Sequence, residues 1–202
     1  MQKKRIKENV NAAIQRLNTM QLPEGAMAYW PGSPDANQWA TSYVGHFMLV
    51  AKEKGYELPS GFLKSWLKFQ KKEARNWSLP AQGIDYYYQS DLVQAYRLYT
   101  LALAGEPDLG AMNRMKELKG LSVQALWRLA AAYGLAGQPE FARQIIVKAG
   151  NDIKPYSGFN YTYGSQERDW AMILETYILM NDKTAAFTFM KRLLMCLAAI
   201  IG

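Results

Sequence analysis

The sequence predicts an all-α fold built from alternating inner and outer helices, an incomplete α/α toroid, and three observations predict it. First, one phrase recurs: an apolar, helix-like stretch ends in glycine and a proline follows within four residues. It occurs at Gly55 before Pro59, Gly105 before Pro107 and Gly137 before Pro139. Asn181 ends a fourth, weaker copy, and asparagine is the other residue that tolerates the left-handed backbone at a helix C-terminus. Second, the copies lie 50, 32 and 44 residues apart, too uneven for a strict solenoid but suited to a stack of paired helices with loops of varied length. Third, segments apolar on most sides take turns with segments that are polar on one face, the pattern of layered helices and not of a simple bundle. Half of the 202 residues are apolar, enough for one substantial core, so residues 1–202 are expected to form a single helical domain.

The elements follow in order. Residues 3–20 carry Ile6, Val10, Ala13, Ile14 and Leu17 at spacings of three and four, one stripe of a helix. A glycine- and proline-rich connector over 22–35 cannot be helical. Residues 37–54 form a helix apolar on most sides, and 60–77 an outer helix with Phe62, Leu63, Trp66, Leu67 and Phe69 opposite a lysine-rich face. Further helices are predicted over 87–104 and 109–118, then after a Ser122 cap to 135, over 140–149, over 167–180 and from 184 onward. A second aromatic connector, 155–160, precedes the penultimate helix.

If the inner helices run parallel, their N-terminal ends share one rim. The loops before them carry Trp30, Asp35 and Trp39; Asp85, Tyr86, Tyr87 and Tyr88; and Tyr161, Tyr163, Gln166 and Arg168. The rim residues singled out as a candidate interaction surface are Trp30, Asp35, Trp39, Tyr87, Tyr163 and Arg168. An aromatic rim over helix N-termini can close the core or bind a peptide, a sugar or another domain.

Catalytic chemistry is not evident. His46, the one histidine, lies mid-helix among apolar neighbours and reads as a core residue. One histidine and one cysteine give no metal-ligand spacing, so neither a metal nor a cofactor is expected. Asp85 and Asp91 flank Tyr86–Ser90 and are the only pair suggesting glycosidase carboxylates, though Asp91 also suits a helix N-terminus. Arg168 and Asp169 read as a local ion pair. The net charge of +7 is spread over helix faces, as at Lys64, Lys68, Lys71 and Lys72, with no accompanying recognition motif, so nucleic acid is not an expected partner. No apolar span reaches the ~18 residues that cross a membrane, and the basic start leads into an amphipathic helix without a signal-peptide core.

Several stretches carry a resemblance. Tyr29-Trp30-Pro31-Gly32, the run from Asn37 to Phe47, the run from Gln94 to Gly105, Gly110 to Arg114, and Tyr163-Gly164-Ser165 with Arg168-Asp169 resemble the thioester-containing helical domain of bacterial alpha-2-macroglobulins. The resemblance implies an α/α toroid of the terpenoid cyclase and protein prenyltransferase superfold. It also implies a non-enzymatic role within an exported protease inhibitor, the parent being periplasmic or membrane-anchored. The partners it implies are the other domains of that molecule and, through it, target proteases. The family's Cys-Gly-Glu-Gln thioester motif is absent, and Cys196, followed by Leu197-Ala198-Ala199-Ile200, cannot supply its nucleophile. The chain is therefore expected to be a truncated toroid without covalent activity, self-associating through open ends by the helix holding Phe187, Leu193 and Leu194. The alternatives are a toroid enzyme acting on carbohydrate through Asp85 or Asp91, and a helical scaffold.

Overall fold

The computed structural model describes residues 2–80, 89–154 and 162–201. Among them are nine helices: α1 (Gln2–Asn18), α2 (Gln38–Glu53), α3 (Phe62–Asn76), α4 (Asp91–Leu103), α5 (Leu109–Lys116), α6 (Val123–Leu135), α7 (Pro139–Ala149), α8 (Gln166–Leu179) and α9 (Lys183–Ile201). The chain packs as two compact units, Met1–Ser78 and Leu79–Gly202. Most predicted boundaries fall within two residues of these. The exception is α4, which begins at Asp91 because Ser90 caps it, its Oγ accepting from the Val93 N–H.

The recurring phrase is a repeated C-cap. Gly55, Gly105, Gly137 and Asn181 all have positive φ, at 83°, 76°, 71° and 56°. In each copy the left-handed residue donates to the carbonyl three back (Lys52, Ala102, Gly134, Ile178), and the next residue donates to the carbonyl five back (Ala51, Leu101, Tyr133, Tyr177). That pair of bonds is the Schellman motif, and it satisfies carbonyls the helix end would otherwise orphan. The prolines are less uniform than the glycines. Pro139 opens α7 at its first turn, whereas Pro107 precedes the Asp108 cap of α5 and Pro59 precedes the Gly61 cap of α3.

In the first unit α2 packs on both α1 and α3. Phe62, Trp66, Phe69, Gln70 and Ala74 bury one face of α3 against α2. The Trp66 indole lies against Gly45, where an added Cβ would stand 2.1 Å from the ring, and its Nε1 donates to the Thr41 carbonyl at 2.8 Å. Beside it, Gln70 Nε2 donates to Ser42 Oγ at 3.0 Å with both residues fully buried, a polar crossing no apolar stripe announces. On α1 the predicted stripe is correct in phase, yet only Ile14 is fully buried and Ile6 is exposed.

The second unit is layered. α4, α6 and α8 form a row, α6 touching both neighbours, while α5 and α7 pack outside α6 and α9 outside α8. Twelve of the thirteen α4 residues and nine of the thirteen in α6 are buried, whereas α5 and α7 bury one face each. Here the inner and outer reading of the sequence holds. Trp127, Trp170, Ile173, Tyr177 and Phe189 form the cluster joining α6, α8 and α9.

Gly45→Ala provides a test of the tight helix crossing. In an exposed helix interior that change stabilises by about 1 kcal/mol; here the Trp66 ring turns it into a loss of about 2 kcal/mol by overpacking. Gly55→Ala, at positive φ but with no atom within 4 Å of the added Cβ, costs about 1 kcal/mol through backbone strain alone. Urea unfolding of the two variants measures both, and a stabilised Gly45→Ala protein would refute the packing.

Candidate functional site

Three of the rim residues belong to the first unit and are held by the connector before α2. The connector is not helical, as predicted, but it is more ordered than an open loop. Gln21 bridges to Met27 and Ala28 to Ala36, and Ala26, Met27 and Ala28 are buried at its base. Thr41 Oγ1 accepts from the Met27 N–H at 2.9 Å and donates to the Asn37 carbonyl at 2.7 Å, tying the loop to the start of α2. Gln21 Nε2 donates to the Phe62 carbonyl at 3.1 Å, tying it to α3. Gly25, at φ 101°, passes so close to α3 that a Cβ there would lie 2.1 Å from the Ser65 carbonyl oxygen.

What this anchored base presents is aromatic. Tyr29 and Trp30 meet edge to face at 5.1 Å between ring centroids, and Trp30 stays 69% exposed. A tight turn follows, with the Ser33 N–H donating to the Trp30 carbonyl. Asp35 is exposed beyond it, and Trp39 is half-buried on the first turn of α2 behind the Asn37 cap. A tryptophan this exposed on so tightly held a loop gives large contact area at small ordering cost.

The remaining rim residues lie at the N-terminus of α8 in the second unit. Tyr163 is 60% exposed at φ 50°, and Ser165 caps the helix by accepting from the Arg168 N–H at 3.1 Å. Arg168 Nε contacts Asp169 Oδ1 at 2.7 Å and its Nη1 donates to the Thr162 carbonyl, so the expected local ion pair is present and Arg168 serves the helix start. Asp85, Tyr86, Tyr87, Tyr88, Tyr161 and the aromatic connector 155–160 lie outside the described residues.

Asp91 is 3% exposed, and both carboxylate oxygens face backbone amides: Oδ1 that of Leu92 at 2.7 Å, Oδ2 that of Ser122 at 2.5 Å. Ser122 is the cap of α6, so this carboxylate brings the N-terminal ends of α4 and α6 together and compensates their amides. A carboxylate accepting from two amides serves here as a structural tie between the two helix starts. His46 is half-buried, lining an apolar groove between α1 and α2 with Ala13, Leu17, Tyr43, Val44, Phe47 and Val50. Among the described residues no cluster of three or more metal-ligating side chains occurs.

A charged network between α4, α6 and α8 was missed by the sequence reading. Arg128, 6% exposed, stacks over Tyr99 at 4.3 Å and Tyr96 at 5.4 Å, and its Nη1 contacts Glu175 Oε2 at 2.6 Å. Glu175 Oε1 accepts from the Tyr99 hydroxyl at 2.9 Å. Burial, and next the adjacent Glu175 charge, push the Tyr99 hydroxyl well above its ordinary range. Tyr133 donates to Asn113 Oδ1 at 2.7 Å and is pushed up to about 12, chiefly by burial. The signal that could have found this network is an arginine placed mid-helix in an otherwise apolar run.

Comparison with known proteins agrees along most of the chain. Escherichia coli alpha-2-macroglobulin is 28% identical over 197 residues, covering 86% of this chain and 12% of that protein. The Xylella fastidiosa alpha-2-macroglobulin is 29% identical over 140 residues, covering 64% of this chain and 8% of the relative. In fold, the chain matches native E. coli alpha-2-macroglobulin, solved from domain MG7 to the C-terminus. That match has a TM-score of 0.80 and 24% identity, covering 94% of this chain and 31% of that one. Salmonella alpha-2-macroglobulin reacted with methylamine matches at a TM-score of 0.77 and 22% identity, covering 93% and 12%. No protein-family model matches the chain. The chain thus spans about an eighth or less of the length of these two relatives.

Raised tyrosines predict an alkaline limit to stability. A hydroxyl whose folded pKa exceeds its unfolded value near 10 stabilises the fold fully below pH 10 and loses that contribution as pH rises through the folded value. Chemical unfolding should therefore give a stability that falls from pH 10 to about 12, with a shallower fall for Tyr133→Phe. An unchanged slope in Tyr133→Phe would refute the assignment.

Proposed function

We propose that this chain, homologous to bacterial alpha-2-macroglobulin, is a helical region of a macroglobulin-like protease inhibitor and works without catalysis, as a protein-interaction element. The observation that carries the reading is the coincidence of sequence and fold likeness over the same stretch, 86% of the chain by sequence and 94% by structure. Residues 1–202 are read as one helical domain of an exported parent. Among the described residues no helix is long and apolar enough to cross a membrane. The partners on this reading are the adjoining domains of the inhibitor and, through it, proteases.

The element proposed to make the contact is the loop presenting Tyr29 and Trp30. Asp35 and Trp39 belong to the same unit and complete its share of the rim; Tyr163 and Arg168 are proposed as the second unit's share. Cys196, half-buried against the α6–α8–α9 cluster, supports a role for these residues without covalent capture.

Association with a bacterial alpha-2-macroglobulin lacking the corresponding segment tests the reading, measured by calorimetry. Stable binding is expected, weakened about tenfold or more in Trp30→Ala, as for a buried aromatic anchor. Mass spectrometry after methylamine treatment should show no adduct. Failure to bind, or a methylamine adduct, would overturn the proposal.

Self-association belongs to the same reading. Phe187, Met190, Leu194 and Met195 are exposed on α9, while Leu193, expected beside them, turns inward onto the Trp127–Trp170 cluster. Sedimentation should show a concentration-dependent dimer that Leu194→Lys disperses and Leu193→Ala, which acts on the core, does not. A monomer at all concentrations would refute it.

A further inference from the structure

The positive charge of the chain is not shared evenly. The first unit holds twelve Lys and Arg against six Asp and Glu, the second twelve against eleven, so nearly the whole +7 excess belongs to residues 1–78. Within that unit α3 concentrates it. Positions 64, 68, 71 and 75 fall within about 60° of one another around the helix axis, with 72 at the edge of the same face. All five are Lys or Arg. The buried residues Phe62, Trp66, Phe69 and Gln70 take the opposite side. The one acidic residue on α3, Glu73, accepts from Gln38 Nε2 at 3.2 Å. Lys64, Lys68 and Lys72 make no ion pair with a described residue.

Like charges at i,i+4 destabilise a helix by a few tenths of a kcal/mol each, so the Lys64–Lys68–Lys72 run weakens α3 unless something else covers it. We propose that the basic face of α3 is a docking surface for an acidic helical segment of a partner protein. The row is straight, about 16 Å long at 1.5 Å per residue, and its charges repeat about every 6 Å. Carboxylates at i,i+4 on a facing helix repeat at the same interval, so each lysine meets one acid in register. The face carries no aromatic residue on which bases could stack. Its helix turns its aromatic residues inward, leaving none to insert into a bilayer. Both features favour a protein over nucleic acid or membrane.

The test uses the full chain and a fluorescent peptide, helix-stabilised, with glutamate at i,i+4, followed by anisotropy at about 50 mM salt, where exposed charges are weakly screened. Lys64→Glu, Lys68→Glu and Lys72→Glu together should lower affinity more than tenfold. The same net change at Lys148, Lys154 and Lys183, exposed in the second unit, should leave it within about twofold. Replacing the α3 lysines by glutamine should give an intermediate loss, with thermal melts verifying that the variants fold. Equal loss in both triple variants, no binding of the peptide, or tighter binding of duplex DNA or phosphatidylglycerol vesicles than of the peptide would each overturn the proposal.

Discussion

A helix buried on every side has nowhere to place a polar group except against another polar group, and the second unit is organised by that constraint. α4 and α6 are almost wholly covered, yet they carry Asp91, Gln94, Arg97 and Arg128. Two of them tie one helix to the next, Asp91 to the cap of α6 and Arg128 to Glu175 of α8, while Arg97 and Gln94 satisfy each other within α4. Removing the acceptor of Arg128 leaves a buried guanidinium uncompensated, which costs more than the pair contributes. The bonds therefore fix register more than they add stability. An apolar row of helices can slide by a turn, but one with a carboxylate on a specific amide and a guanidinium over two specific rings cannot.

The same constraint commits the described buried charges to structural partners. A general acid or base needs a free proton site facing a space a substrate can enter. Asp91 has both oxygens on amides, and Asp169 is fully buried against Arg168. What stays available is aromatic and lysine-rich, at the surface of the first unit, the chemistry of contact with another macromolecule.

Much of the helical order was legible because helix ends are local. A glycine at a C-cap is required by φ alone, and the two Schellman bonds span only six residues, so four reversals could be read from short phrases. The burial of α4 and α6 was legible from apolar residues on every face. The Gln70–Ser42 crossing and the Arg128–Tyr99–Glu175 network were not, because each joins residues far apart in sequence whose side chains are individually ordinary. The connector over 22–35 is an intermediate case: glycine and proline excluded a helix, but two bridges and the Thr41 anchor depend on where α2 lies. Of the rim, Trp30, Asp35 and Tyr163 precede helices as expected, since loop position follows from helix ends, whereas Trp39 and Arg168 lie within the first turn of α2 and α8.

The two units divide the work of the chain along lines their charges reveal. In the second, eleven acids nearly balance twelve bases, and Arg128 and Asp169 are buried each with an opposite charge beside it. In the first, bases outnumber acids two to one and stand outside, on a helix whose inner face is already complete in Trp66, Phe69 and Gln70. At the exposed positions 64, 68 and 72 any polar residue would solvate the face, and glutamate at one of them would spare the helix the repulsion along the row. A surface that departs from the least costly choice in one consistent direction is the ground on which the docking proposal for α3 rests, and the exposed Trp30 loop of the same unit is the other.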